Sequence, residues 1–362
     1  MKKILILANN DVGLYRFRKD LIQELLKENQ VMISLPNGDM VRPLVEMGCH
    51  FLDTPVDRRG MNPLRDLKLY REYRRIIKSV QPDLVITYTI KPNIYGGYAC
   101  RRKNVPYAVN ITGLGSAFQK PGKLRDLVIA MYKAALKNAN VVFFENTSNR
   151  DVFTEEKIVT KEKTHVLNGA GVDLNHFVVQ PYPEERDAFR FLFVGRVMQE
   201  KGVDELFSAM KTLRAEGYQC ELDVIGSYEE NYESTIQEYS VEGWLHYHGF
   251  QTDTRPFIKD CDCYVLPSWH EGMANTNLEA AASGRPVITS NIPGCREAVE
   301  DGISGLLCEC RNAESLAEQL RKMMDCSVTE REKMGLNGRK RMELFFDKKL
   351  VVDDTIGALN GI

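Results

Sequence analysis

Phe191-Leu192-Phe193-Val194-Gly195-Arg196-Val197-Met198-Gln199-Glu200-Lys201-Gly202 is an apolar run that stops at a glycine, followed by a charged loop and a second glycine. A helical pattern over 201–216 comes next, so the stretch reads as strand, tight turn and helix, half of a βαβ unit. Strand-like runs recur at 221–225, 244–248, 262–266, 286–289 and 304–307, with helical patterns at 229–240, 274–283, 312–325 and 329–345. The half of the chain before this stretch alternates in the same way. Its strands are expected at 3–8, 30–35, 50–53, 83–88, 106–111, 140–144 and 164–167, and its helices at 15–28, 63–80, 93–103 and 122–138. Alternation of this kind builds parallel sheets covered by helices. Val178 to Arg186 breaks the pattern with prolines and polar residues. The chain is therefore read as α/β, with two Rossmann-like doubly wound domains, 1–180 and 187–346, facing across a cleft. A last helix within 347–362 is expected to pack back on the first domain. Ligands are expected at the carboxyl ends of the strands.

A length of 362 residues suits two ordinary cores, and 43% apolar with 27% charged residues is a globular balance. No run approaches 18 consecutive apolar residues, so no membrane-spanning helix is expected. Met1-Lys2-Lys3 and the apolar Ile4–Ala8 superficially resemble a signal peptide, but the run passes at once into Asn9-Asn10-Asp11 and reads as a buried strand. Nine scattered cysteines fit a reducing cytoplasm. The pairs Cys261/Cys263 and Cys308/Cys310 lie in or beside strand-like runs without a set of partner histidines, and read as structural rather than as a metal site. Residues 1–178 carry 28 Lys and Arg against 18 Asp and Glu, and the remainder 20 against 32. The basic half is expected to face an anionic partner, and no nucleic acid is among the partners expected.

The chemistry concentrates in His270-Glu271-Gly272-Met273-Ala274-Asn275-Thr276-Asn277-Leu278-Glu279-Ala280-Ala281. Glu271 follows the strand-like Cys263–Pro267, and Glu279 falls inside a small-residue helix that begins near Asn275. A loop carboxylate beside a helix start sets an acceptor for sugar hydroxyls next to N–H groups that favour phosphate. Arg196 and Lys201 project from the loop after Gly195, a fork and a point charge suited to a diphosphate.

Together, Gly195-Arg196-x-x-x-Glu200-Lys201-Gly202, Leu266-Pro267-Ser268-x-x-Glu271-Gly272, Glu279-Ala280 and Gly284-x-Pro286-Val287-Ile288 resemble the donor half of retaining glycosyltransferases of family 4. These have the GT-B fold and a Glu-x7-Glu hallmark, and the likeness spans roughly residues 190–310. It implies that Arg196 and Lys201 hold the donor diphosphate, that Glu271 contacts the transferred sugar and that Glu279 contacts the ribose. It places the backbone of Gly272, Met273, Ala274, Asn275 and Thr276 at the distal phosphate, and His248-Gly249-Phe250 beside the base, most often uridine in this family. The nucleotide sugar is a substrate, and neither a cofactor nor a metal is implied.

In the first half, Thr87-Tyr88-Thr89-Ile90-Lys91-Pro92-Asn93-Ile94-Tyr95-Gly96-Gly97, Thr112-Gly113-Leu114-Gly115-Ser116 and Phe144-Glu145-Asn146 resemble a narrower bacterial group. Its members build capsule, O-antigen or lipid-linked oligosaccharides on polyprenyl diphosphate, as peripheral proteins at the cytoplasmic face of the plasma membrane. Lys91, Asn93, Thr112 and Gly113 are the acceptor-side candidates, although Lys91 reads equally as a structural lysine. Gly13, after the first strand, would let the backbone approach the donor phosphates. Thr112 stands where many family members carry a cleft histidine, so no mechanism through that histidine applies here. His50, His165 and His176 read as structural.

On a helical wheel of 63–80, Leu69, Tyr70, Tyr73, Ile76, Ile77 and Val80 form one apolar arc. Arg65, Lys68, Arg71, Arg74, Arg75 and Lys78 fill the other side, with Leu64 and Leu67 among them, a face that reads as contacting an anionic membrane surface. The reaction expected is sugar transfer to a lipid-linked acceptor, with the leaving diphosphate stabilised electrostatically and no evident protein nucleophile. Asp260-Cys261-Asp262 mimics the D-x-D of metal-dependent transferases but precedes a buried strand. The alternatives are a nucleotide-sugar epimerase of similar fold and a non-catalytic nucleotide-sugar binder. A dinucleotide oxidoreductase is weaker, because no G-x-G-x-x-G follows a strand.

Overall fold

Nearly continuous apolar runs make the central strands, as parallel strands buried on both faces require, while most edge strands mix in polar residues. In the computed structural model the first sheet comprises β1 (Lys3–Leu7), β2 (Gln30–Leu35), β3 (His50–Asp53), β4 (Leu84–Tyr88), β5 (Tyr107–Ile111), β6 (Val141–Phe144) and β7 (Thr164–Val166). The second comprises β8 (Phe189–Val194), β9 (Cys220–Ile225), β10 (Leu245–Tyr247), β11 (Cys263–Leu266), β12 (Val287–Ser290) and β13 (Gly305–Cys308). Every strand pairs in parallel, in the orders β3-β2-β1-β4-β5-β6-β7 and β10-β9-β8-β11-β12-β13. Each sheet winds outward from a central strand and then reverses, so β1/β4 and β8/β11 flank topological switch points. These are two Rossmann-like sheets. The structure describes residues 1–57, 60, 62–118 and 121–362, with the backbone alone at 116.

One unit holds Met1–Ala170 and Lys349–Ile362, the other Gly171–Lys348. The polar stretch 178–186, which the sequence reads as a linker, is packed on the second unit. The reason is Arg285, a guanidinium with no solvent exposure. Its buried donors need acceptors, and they take the carbonyls of Gln180 at 3.1 Å, Pro181 at 2.7 Å and Lys259 at 2.7 Å. Tyr182 adds a bond from its hydroxyl to the Asp262 carbonyl at 2.6 Å. Lys348–Asn360 is a helix whose Val351 and Leu359 enter the first unit's core, and its Asp354 meets His165 of β7 at 2.9 Å.

Helices cover both faces of the first sheet. Pro63–Val80, Gly97–Lys103 and Lys123–Leu136 share one core with the sheet, and Asp11–Leu26 and Val41–Glu46 share the other. Helix 63–80 starts where Asn62 accepts from the N–H groups of Leu64 and Arg65, with Pro63 at the first helical position. It buries Leu69, Tyr73, Ile76 and Ile77, while Tyr70 and Val80 lie at the margins of the arc. Asn10 opens the first helix at Asp11 rather than near residue 15, because a side-chain cap ends a strand loop earlier than apolar periodicity can reveal. Short helices at Val41–Glu46, Thr147–Glu155 and Arg255–Asp260 had too few turns to register as a pattern.

Candidate active site

Two loops at the carboxyl ends of β8 and β11 interlock at the switch point of the second sheet. Lys201 bonds its ammonium to Glu271 Oε1, and Ser268 Oγ donates to the same oxygen at 2.9 Å. Both side chains are largely buried, at 17% and 14% exposure. An ammonium has three donors and a carboxylate about four lone-pair sites, so the pairing leaves both with capacity for a ligand. The two described bonds to Glu271 fall on Oε1, which leaves Oε2 for a hydroxyl donor. Trp269 staples the loops: its backbone N–H donates to Glu200 O at 3.0 Å and its Nε1 to Glu205 Oε1 at 3.1 Å. Arg311 stacks over the Trp269 ring at 4.2 Å. Gly202, at φ +73°, packs so closely that a Cβ would overlap the Pro267 carbonyl.

The segment after Glu271 rests on Gly294. The Ala274 N–H donates to Gly294 O at 2.7 Å, and a Cβ on Gly294 would stand 2.6 Å from Glu271 O and 2.7 Å from Gly272 O. Met273 and Ala274 bury their side chains, so this segment offers a ligand its backbone. Asn275–Ala282 is a helix whose cap residue, Ala274, has no side-chain acceptor for the first N–H groups. Asn275 Oδ1 is buried without a partner among the described residues. Beneath it, Tyr264 donates to Thr276 Oγ1 at 2.6 Å. Burial pushes the Tyr264 phenol well up, the Thr276 bond works against this, and the Glu279 and Glu271 charges add to the rise.

The ends of β8, β9 and β10 are laced together by glycine. Gly226, at φ +146°, donates to Gly249 O at 2.9 Å and lies against Gly195 so closely that a Cβ would overlap the Gly195 carbonyl. Phe250 follows Gly249 and is 59% exposed. His248 is held by Asp223 at 2.6 Å and by the Phe257 ring. Arg196 is half exposed and sits 3.5 Å from Glu229.

Several first-unit candidates turn out to be occupied. The Gly13 N–H donates to the Asn10 cap at 2.6 Å, so its own amide is engaged within the loop. Asn93 is 1% exposed, accepts from Thr87 Oγ1 at 2.7 Å and donates to Asn110 O at 2.8 Å. It ties β4 to β5, its amide satisfied inside as burial demands. Lys91 gives its ammonium to Gly60 O at 2.6 Å and Asp66 Oδ1 at 2.7 Å, and Asp66 Oδ2 accepts from Tyr95 at 3.0 Å. Thr112 and Gly113 follow the end of β5. Sequence reading missed the buried pair Arg18–Glu145 at 2.6 Å, with Arg18 over the Tyr88 ring at 5.1 Å. It also missed Thr89, a β-branched residue held at φ +73° beside the switch point.

Residues 178–341 match the family model for glycosyl transferases group 1, and residues 3–146 match the model for glycosyl transferase 4-like domains. The chain belongs to the GT-B glycosyltransferases. Among its relatives is the N,N'-diacetylbacillosaminyl-diphospho-undecaprenol alpha-1,3-N-acetylgalactosaminyltransferase of Campylobacter jejuni, 26% identical over 92% of this chain and 91% of that protein. Another is the UDP-Gal:alpha-D-GlcNAc-diphosphoundecaprenol alpha-1,3-galactosyltransferase of Escherichia coli, 26% identical over 75% and 73%. The fold matches that of Anabaena HepE, solved in complex with UDP and glucose, at a TM-score of 0.83 with 16% identity over the whole of both chains.

In this glycosyltransferase the D-x-D mimic is used structurally. Asp262 is buried, accepts from the Arg190 N–H at 2.8 Å and lies 3.7 Å from Arg186, and burial raises its carboxyl. Cys261, Cys263 and Cys308 are buried, and burial pushes the Cys261 and Cys308 thiols up to about 12 and that of Cys263 well up. Of the site's supports, Ser268 was legible in the Pro-Ser-x-x-Glu motif. Trp269, Arg311 and Gly294 had no sequence signal, since their roles depend on which loops meet.

Proposed function

We propose that this glycosyltransferase moves a sugar, with retention, from a nucleoside-diphosphate donor, most simply a uridine one, to a hydroxyl of a saccharide carried on polyprenyl diphosphate. The observation that carries the reading is the convergence of Lys201 and Glu271 beside the start of helix 275–282. The acceptor class is supported by the two relatives, whose names specify undecaprenol-linked substrates. The second unit takes the donor. Lys201, Arg196, Gly195 and the backbone of Gly272–Thr276 meet the diphosphate, Glu271 the sugar hydroxyls, Glu279 the ribose, and Gly249 and Phe250 the base. The first unit takes the acceptor near Lys91, Thr112 and Gly113, and the basic side of helix 63–80 rests on the inner face of the plasma membrane.

The chemical step is an attack of the acceptor hydroxyl on the anomeric carbon from the face the diphosphate leaves. The carbon–oxygen bond to phosphate breaks as the new glycosidic bond forms, and the hydroxyl proton passes to the leaving phosphate oxygen. Lys201 and the helix start stabilise the charge that develops there, without a metal. Turnover undiminished by a chelator tests the last point.

Incubation with a panel of nucleotide sugars and a lipid-linked acceptor, read by mass spectrometry, tests the whole. A mass gain of one sugar on the acceptor supports transfer. An isomerised donor would point to an epimerase, and an unchanged donor bound tightly to a non-catalytic binder. Lys201→Ala and Glu271→Ala, each folded, should lose transfer by at least about 100-fold; full activity in both overturns the site.

A further inference from the structure

On the first unit, helices 63–80, 97–103 and 123–136 lie side by side on one face of the sheet. All strands are parallel and each helix follows a strand's carboxyl end, so the helices start at the same end of the layer. The first turn of helix 63–80 exposes Leu64 at 78% and Leu67 at 42%. The first turns of helix 123–136 repeat the arrangement with Leu124 at 44% and Leu127 at 57%. Both pairs are spaced i, i+3 and share a helix face. Leu127 points away from the buried Ile129, Tyr132 and Leu136, and Leu124 lies beside it on the flank nearer Gly97, which packs on Ala135. At 8–10 Å between packed helices, the two leucine pairs stand about 20 Å apart. Exposed Lys68, Arg71 and Arg102 stand near the first pair, and exposed Lys123 stands beside the second, next to the exposed Asp126.

We propose that helix 123–136 is a second membrane anchor. The two leucine pairs insert together into an anionic bilayer and hold the first unit by two points. This rests on the membrane contact proposed for helix 63–80 and extends it to a surface that fixes orientation. One helix leaves a protein free to roll about its axis, and two separated insertions do not. Leucines set among cations match an interface whose surface is anionic and whose interior is apolar, which favours a bilayer over a protein partner.

Flotation with vesicles of phosphatidylglycerol and phosphatidylcholine, against phosphatidylcholine alone, tests it. The double variants Leu64→Glu/Leu67→Glu and Leu124→Glu/Leu127→Glu should each lower partitioning onto the anionic vesicles by at least about tenfold. Val45→Glu, on the opposite helical layer, should change it less than about twofold. In Leu127→Trp the indole emission should shift to the blue on anionic vesicles. Loss with the 64/67 variant but parental binding with the 124/127 variant overturns the second anchor while leaving the single-helix contact intact. A parent that dissociates from dimer to monomer on the 124/127 change also overturns it, since the face then covers a second copy. A protein that floats as stated yet transfers no sugar overturns the transferase reading alone.

Discussion

Trp269→Phe removes one donor from the staple that holds Lys201 against Glu271. The phenyl ring keeps most of the surface on which Arg311 stacks at 4.2 Å, and the backbone bond to Glu200 remains. The change deletes the bond from Nε1 to Glu205 Oε1. Glu205 Oε2 already lacks a partner among the described residues, so the variant leaves the whole carboxylate uncompensated there. A buried acceptor stripped of its donor costs about 1–3 kcal/mol. For a unit of this size that lowers Tm by about 2–10 °C. Looser loops should also lower kcat/KM by about 10- to 100-fold, the range for a catalytic pair displaced by an ångström or less. The assay is a double-mutant cycle of Trp269→Phe and Glu205→Ala, read by thermal unfolding and by transfer kinetics. A coupling of about 1.5 kcal/mol or more is expected, with the double variant little worse than either single. Strict additivity of the two changes, in stability and in rate, would refute the stapling argument.

Gly202→Ala forces a Cβ onto the Pro267 carbonyl at a φ of +73°, and should cost about 2–4 kcal/mol and depress activity, checked by urea unfolding and kinetics. Asp262→Asn tests burial electrostatics. The native carboxyl titrates above its ordinary value of 3.8, so it keeps its proton where the unfolded chain has lost it, and stability from this group falls as pH rises through that window. The variant keeps an acceptor for Arg190 and should flatten the slope, so its urea midpoint relative to the parent rises with pH above 3.8 and then levels; a pH-independent difference refutes this. Asn62→Ala removes the cap of helix 63–80 and should cost about 1 kcal/mol, visible in thermal unfolding.

The inner strands were the most legible, because a parallel strand buried on both faces is nearly continuously apolar, as Ile4–Leu7 and Phe191–Phe193 are. The donor motif was legible for a related reason, since its glycines and carboxylates keep a set spacing along one chain. Helix starts were less so. Asn10 reaches forward to Gly13 and begins a helix that apolar periodicity places later. Asn93 read as a polar residue near a site, yet burial turned it into a tie between strands.

What the sequence determined by itself is the alternation of elements, hence two parallel sheets, and the residue types available at the ends of β8 and β11. Local pattern suffices for these because strand and helix periods are properties of neighbouring residues. Only the tertiary structure decided which of those residues meet. Lys201 faces Glu271, Trp269 reaches Glu205 and Arg311, Lys91 is matched by Asp66, and Arg285 draws the supposed linker onto the second unit. Such pairings follow from loops brought together at a switch point and from the demand that every buried polar group find a partner, and neither is written in the order of the residues.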